Sequence, residues 1–232
     1  MDRTGENVMK LSKLLFICLP LSGAILAGCN SGSNNDNPKK EVFEEARKES
    51  LFELGKTTGY EIKGTITENE KITHYTAAMK GDILYLHFQE VSGGGWNYMA
   101  CQLSSEGKAI SRVFKNDFTP FGDSQTRDGE AFKLCFNTSV DPFYEASKPA
   151  ICNNSKYVGD ETLLGMNTCK FEYKEDLGVS TQLITSYVEE TYGLTLKITT
   201  QYVKGQEVTT SKEMNITSIK KGSDVVIPNF EF

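Results

Sequence analysis

The chain has 232 residues, and its 31 Asp and Glu against 25 Lys and Arg give a net charge of −6 at neutral pH. An acidic balance argues against nucleic acid as the main partner and against a polybasic membrane patch. The length suits one all-β domain once a leader is set aside.

That leader comes first in the chain. Basic Lys10 and Lys13 precede an apolar run (Leu14 to Ile17, then Leu19 to Ile25) that closes on Leu26-Ala27-Gly28-Cys29. The run is short for a spanning helix, which needs roughly 20 residues. Basic start, apolar middle and small-residue end together read as a secretory signal with a lipobox. Small Ala27 and Gly28 suit a peptidase cleft, and Cys29 supplies the thiol for lipidation. Met9 to Lys13 is the expected true start, because Met1 to Val8 carries two acids. The expected organisation is a signal peptide over 1–28, a lipidated tether over 29–38 and one domain over 39–232. No later apolar run is long enough to span a bilayer, so the expected membrane contact is the lipid on Cys29 alone. Asn30 follows that cysteine where an aspartate would retain the protein in the inner membrane. The expected address is the outer membrane of a two-membrane cell, or the outer face of the cytoplasmic membrane otherwise.

Asn30 to Asn37 has nothing apolar to bury and reads as a mobile spacer. Asn37-Pro38 opens a predicted amphipathic helix over Lys39 to Leu54, with Phe43, Ala46, Leu51 and Leu54 on the dry face and Gly55 as its stop. Glu41, Glu45 and Lys48 lie opposite, and Phe52 falls off the dry face. From Tyr60 the period changes to two. Strands are predicted over Tyr60–Ile66, Ile72–Met79 and Asp82–Gln89, the last two joined at Lys80-Gly81. In that register position 74 faces 87, and a Gly81-Asp82 turn would instead leave the two histidines displaced neighbours. Tyr75, Ala77, Met79, Leu84, Leu86 and Phe88 share one face, and His74, Thr76, Ile83, Tyr85 and His87 share the other. Strands at Trp96–Leu103 and Ala109–Phe114 follow the glycines at 93–95. Residues 115–131 read as a long loop, Phe132–Asn137 as a short strand, Asp141-Pro142 as a helical turn, and 153–160 as loop again. The last third is a predicted meander: Met166–Tyr173, Thr181–Glu189, Leu194–Val203 and Glu207–Ile219. One helix and about nine strands imply a mainly β (α+β) fold, a curved antiparallel sheet or incomplete barrel covered by the N-terminal helix.

Six cysteines are present. Cys18 leaves with the signal and Cys29 takes lipid, so Cys101, Cys135, Cys152 and Cys169 remain as an even set in an exported chain. Two disulfides are expected. Cys101–Cys135 and Cys152–Cys169 close the shorter loops, and the other pairings stay open. Their spacing lacks the close pairs of a zinc site. The two histidines could form a weak metal or pH-responsive pair, but no cysteine or carboxylate completes a site. Asp117, Asp123, Asp128 and Glu130 in the long loop do not match the spacing of a calcium-binding loop. No G-x-S-x-G stands in the chain, and Gly93-Gly94-Gly95 lacks the Lys-Ser/Thr of a phosphate loop. These residues imply no cofactor, no metal and no catalysis. The candidate ligand surface is the dry sheet face: Tyr75, Met79, Leu84, Leu86, Phe88, Leu196, Ile198 and Met214. A cleft between such a face and its helix suits an acyl chain or another apolar ligand.

Three stretches also resemble bacterial envelope lipoproteins of the LolA/LolB-like superfamily. Leu164 to Tyr173 resembles a G-x-x-C-x-x-Y-type strand of that group. Ile184 to Lys197 resembles its strand, acidic turn and Gly-Leu-x-Leu-Lys strand. Ile216 to Phe230, ending Val226-Ile227-Pro228-Asn229-Phe230, resembles its closing strand and tail. The resemblance implies an incomplete β-barrel whose concave face is covered by helices and holds lipid. The carriers' buried arginine has no counterpart in a matching motif, although Arg47 lies near the dry helix face. The expected function is a lipid-anchored envelope protein that binds a lipid or other hydrophobic ligand without chemistry. The alternative is a protein-interaction module with a filled core, docking an envelope protein through loop 115–131 or a sheet edge.

Overall fold

The computed structural model describes residues 39–43, 45–89, 97–140 and 155–232. The signal segment, Cys29, the tether, the glycines at 93–95, Asp141-Pro142 and Cys152 lie outside these residues.

Among the described residues the chain forms one antiparallel sheet of eleven strands and two α-helices. The elements run α1 (Glu45–Thr57), β1 (Tyr60–Glu68), β2 (Lys71–Lys80), β3 (Ile83–Phe88), β4 (Tyr98–Leu103), β5 (Lys108–Phe114), β6 (Gln125–Asp128), α2 (Glu130–Val140), β7 (Lys156–Leu163), β8 (Met166–Asp176), β9 (Thr181–Glu189), β10 (Thr195–Lys204) and β11 (Glu207–Lys221). A 3-10 turn at Lys40–Phe43 precedes α1. The spatial order is β6-β5-β4-β3-β2-β1-β11-β10-β9-β8-β7. Each wing is therefore a run of hairpins, and the wings join where β1 pairs with β11. The sheet is open, with β6 and β7 at its edges.

Period-two patterning accounts for the strands. On β1, Tyr60, Ile62 and Ile66 are buried while Glu61, Lys63 and Thr65 are not. These residues join Tyr75, Ala77, Met79, Leu84, Leu86, Met99, Cys101, Phe171, Leu196, Ile198 and Met214 in the main core, which also takes up Leu51, Phe132 and Phe136 from the helices. Phe52 meets Phe136 edge-on at 5.1 Å, and Tyr60 meets the same ring at 6.0 Å. Phe52 thus belongs to the packed side of α1. Lys48, assigned to the polar face, is buried.

Four expectations need correction. First, α1 does not stop at Gly55. It runs on to Thr57 because the Thr57 and Thr58 hydroxyls donate to carbonyls of the preceding turn, and it ends at Gly59, whose φ is 102°. Gly55 instead lets the helix approach the sheet, since a Cβ there would lie 2.7 Å from Met79 Sδ. Second, Phe132–Asn137 is helical. Phe132 and Phe136, four apart, are buried, whereas Leu134 between them is 46 % exposed. Such a burial pattern belongs to a helix. Third, both expected loops contain a strand: β6 pairs with β5 inside 115–131, and β7 pairs with β8 over part of 153–160. Fourth, the β2–β3 turn is Gly81-Asp82, so His87 faces Thr76 and Phe88 faces Tyr75. The histidines are not directly opposed, although the apolar face keeps its membership because the register moved by two.

The sheet also has a second dry patch. Ala78, Tyr85, Ala100 and Phe114, of opposite parity to the main core, pack with Val225 and Phe230 from the C-terminal segment. The Phe114 and Phe230 ring centroids are 5.0 Å apart. Lys80 Nζ fixes the segment by donating to the carbonyls of Ser223 and Val225 at 2.7 and 2.8 Å.

Candidate functional site

The eight residues nominated as a ligand face all lie in the main core. Tyr75, Met79, Leu84, Leu86, Phe88, Leu196, Ile198 and Met214 are each buried. They share one core cluster with the helix residues Leu51, Phe132 and Phe136. Arg47 spends its Nε on the Glu41 carbonyl, 2.9 Å away.

Among the described residues, open space occurs at the β4–β6 end of the sheet, beneath α2. A groove of about 100 Å³ has an apolar floor that includes Met99, Cys101, Ala109 and Val113, and a helical wall that includes Ala131, Leu134 and Cys135. Arg112, Arg127, Asp123 and Gln125 also line it. Arg112 is set in place by the Gly122 carbonyl (Nε, 3.2 Å) and the Glu231 carbonyl (Nη1, 3.2 Å). The groove exists because β6 is only four residues long and α2 follows it directly, laying the helix across the sheet's tapered edge. Its lining comes from β4, β5, β6, α2 and the loop before β6, which no single sequence stretch reveals.

Two cysteines meet at this groove. Cys101 lies on β4, fully buried, and Cys135 lies on α2, partly exposed. The Cys101 thiol hydrogen-bonds to Cys135 Sγ and holds the Cys135 thiol below its usual pKa, against the effect of burial and with help from the Arg127 guanidinium. Cys101, Cys135 and Cys169 are free thiols, so the expected bridges are not formed here.

A second polar cluster sits where the N-terminal segment meets the far wing. Ligand atoms of Asp160, Cys169 and Glu190 lie within 4.8 Å of one another. Lys39 Nζ is 2.6 Å from Glu190 Oε1 and supplies the cation that these groups attract. Cys169 Sγ donates to the same oxygen at 3.4 Å. Burial, and then the Glu190 carboxylate, push the Cys169 thiol up to about 12. The Lys39 hydrogen bond, followed by that from Cys169, holds Glu190 below the usual carboxylate range. Just before it in the chain, Glu189 is buried, and its two oxygens accept the N–H groups of Thr191 and Tyr192 at 2.7 and 2.8 Å. The acidic turn therefore has structural work: Glu189 closes the turn and Glu190 fastens the N-terminal segment to it.

The remaining sequence candidates disperse. His87 stacks on Tyr98 with centroids 4.0 Å apart, and burial, only partly opposed by a hydrogen bond with Asn116, lowers its pKa. Asp117 accepts the Thr119 N–H at 3.0 Å, and Asp128 pairs with Lys108 at 2.8 Å across the β5–β6 ladder. Among the described residues the acidic loop gathers no cluster able to hold an ion.

No family model matches the chain, and no curated protein matches its sequence. Solved structures do show some likeness. An uncharacterised conserved protein from Thermus thermophilus has a TM-score of 0.43 at 9% identity, covering 82% of this chain and 90% of that one. MucB in the Pseudomonas aeruginosa MucA/MucB complex has a TM-score of 0.38 at 11% identity, covering 82% of this chain and 59% of that one. A DUF1329 family protein from Desulfovibrio piger has a TM-score of 0.23 at 8% identity, covering 82% and 95%.

Proposed function

We propose that this chain is a lipid-anchored protein of the cell envelope that acts by docking a protein partner, without chemistry of its own. The lipobox ending at Cys29 supports the anchor. The groove beneath α2 carries the docking reading. At about 100 Å³ it is smaller than the ~150 Å³ cavity that accepts benzene. A groove of this size, open along one side, suits one aliphatic side chain of a partner. Arg112 and Arg127 against Asp123 favour an acidic residue beside that anchor side chain. The lipid-carrier reading that the sequence favours would need space over Leu86 and Leu196, and both are buried in the main core.

A photo-crosslinking amino acid at Leu134, half-exposed on the groove wall, tests this in cells carrying the full-length chain. A discrete protein adduct is expected, absent when the reporter replaces exposed Val208 on β11 and abolished by Ala131→Trp, which fills the groove. Adducts of equal yield at both positions, or adducts to lipid alone, would overturn the docking reading.

A further inference from the structure

We propose that Cys101 and Cys135 form a redox-active dithiol that closes to a disulfide and pins α2 to β4. The two sulfurs come from different layers, one from the sheet and one from the helix across it, and both residues line the groove beneath α2. A disulfide needs them at about 2 Å. The unfilled groove that both residues line gives the helix room to approach the sheet.

Access separates their roles. Cys135 is partly exposed on the groove wall, while Cys101 is wholly buried. The oxidant is a disulfide, either a small molecule or the disulfide of an oxidoreductase. Cys135 as thiolate attacks one of its sulfurs, forming a mixed disulfide and expelling a thiolate. Cys101 then loses its proton and attacks Cys135 Sγ, and the second half of the oxidant leaves as a thiol. The protein gives up two electrons and two protons, and the oxidant becomes two thiols. Arg127 beside Cys135 favours the attacking thiolate. Cys169 lacks this chemistry because its sulfur is held as a thiol beside the Glu190 carboxylate. If the groove docks a partner, the two redox states present different floors. That consequence rests on the docking reading, whereas the bond itself does not.

The test uses the full-length protein in detergent micelles, incubated with oxidised glutathione, quenched in acid, alkylated, digested and mapped by mass spectrometry. The expected result is joint loss of alkylation at Cys101 and Cys135, with a peptide linking them, while Cys169 stays alkylatable. Cys101→Ala should leave glutathione trapped on Cys135, and Cys135→Ala should leave Cys101 unmodified, each with a wild-type circular dichroism spectrum. The proposal is overturned if both thiols remain alkylatable, if glutathione persists on Cys135 in the wild type, or if the linked peptide joins either residue to Cys152 or Cys169. Losing the Leu134 crosslink while the linked peptide forms would refute docking alone.

Discussion

Replacing Gly64 by alanine should cost the fold about 2 kcal/mol. Gly64 lies mid-way along β1, beside the irregularity where the pairing with β11 shifts between Lys63 and Gly64, and it faces Tyr75 on β2. A Cβ at this position would lie 2.6 Å from the Asn215 carbonyl oxygen and 2.7 Å from the Tyr75 ring. The first contact is backbone and cannot swing away. The second belongs to a ring that is 2 % exposed and packs against Phe88 at 6.5 Å. Overpacking of this kind costs roughly 1–3 kcal/mol. Alanine restricts the unfolded chain and returns only about 0.4–1 kcal/mol, so the steric cost wins. For a domain of this size, each kcal/mol moves the melting temperature by roughly 2–4 °C. Thermal unfolding followed by circular dichroism should therefore show a drop of about 4–8 °C. A variant as stable as wild type would refute the argument and mean that β1 and Tyr75 are packed less closely than described.

Other perturbations test other levels of the structure. Cys29→Ser should move the protein from the membrane pellet to the soluble fraction; continued tight pelleting would defeat the anchor. Leu86→Asp or Leu196→Asp puts a carboxylate in a filled core and should abolish cooperative unfolding, so wild-type stability in both would invert the sheet faces. At pH 8, Cys135 should react with iodoacetamide well before Cys169, because one thiol is held low and the other pushed up to about 12; peptide mapping that finds equal rates would contradict these environments. Glu190 has a depressed pKa in the fold, so its contribution is present above the usual carboxylate range and is lost as pH falls through its lowered value. Lys39→Ala should flatten the loss of stability below about pH 4.3, and unchanged acid unfolding would show that the pair contributes nothing.

What the sequence revealed was period and parity. Alternation along Tyr60–Ile66 and Leu194–Val203 is local, and it placed both strands and the dry face of the first, whereas in the second Thr195 is buried and Tyr202 is exposed against the alternation. Phe132-Leu134-Phe136 deceived because apolar residues at every second position imitate a strand; only the exposure of Leu134 shows that the true repeat is four. The β2–β3 register turned on which two residues make the turn, a choice between Lys80-Gly81 and Gly81-Asp82 that composition leaves open. Loop length suggested the bridges Cys101–Cys135 and Cys152–Cys169, yet Cys101, Cys135 and Cys169 stand as free thiols, because spacing along the chain does not report the separation of sulfurs in the fold. The groove was illegible because five separate segments assemble it. So was the second dry patch, since nothing local tells Phe230 that Tyr85 and Phe114 await it.

The seam between β1 and β11 sets the timetable of folding. Each wing closes through hairpins between neighbours in sequence, which is fast, whereas Ile62 must wait for Ile219. Such distant pairings carry a loop-closure penalty and form late. Until the final strand is available, β1 is a bare strand edge with unpaired backbone N–H and C=O groups, the kind of surface that recruits another copy. A newly made chain is thus most prone to aggregate just before its last fifteen-residue strand is added, and a product truncated ahead of Glu207 would keep that edge for good.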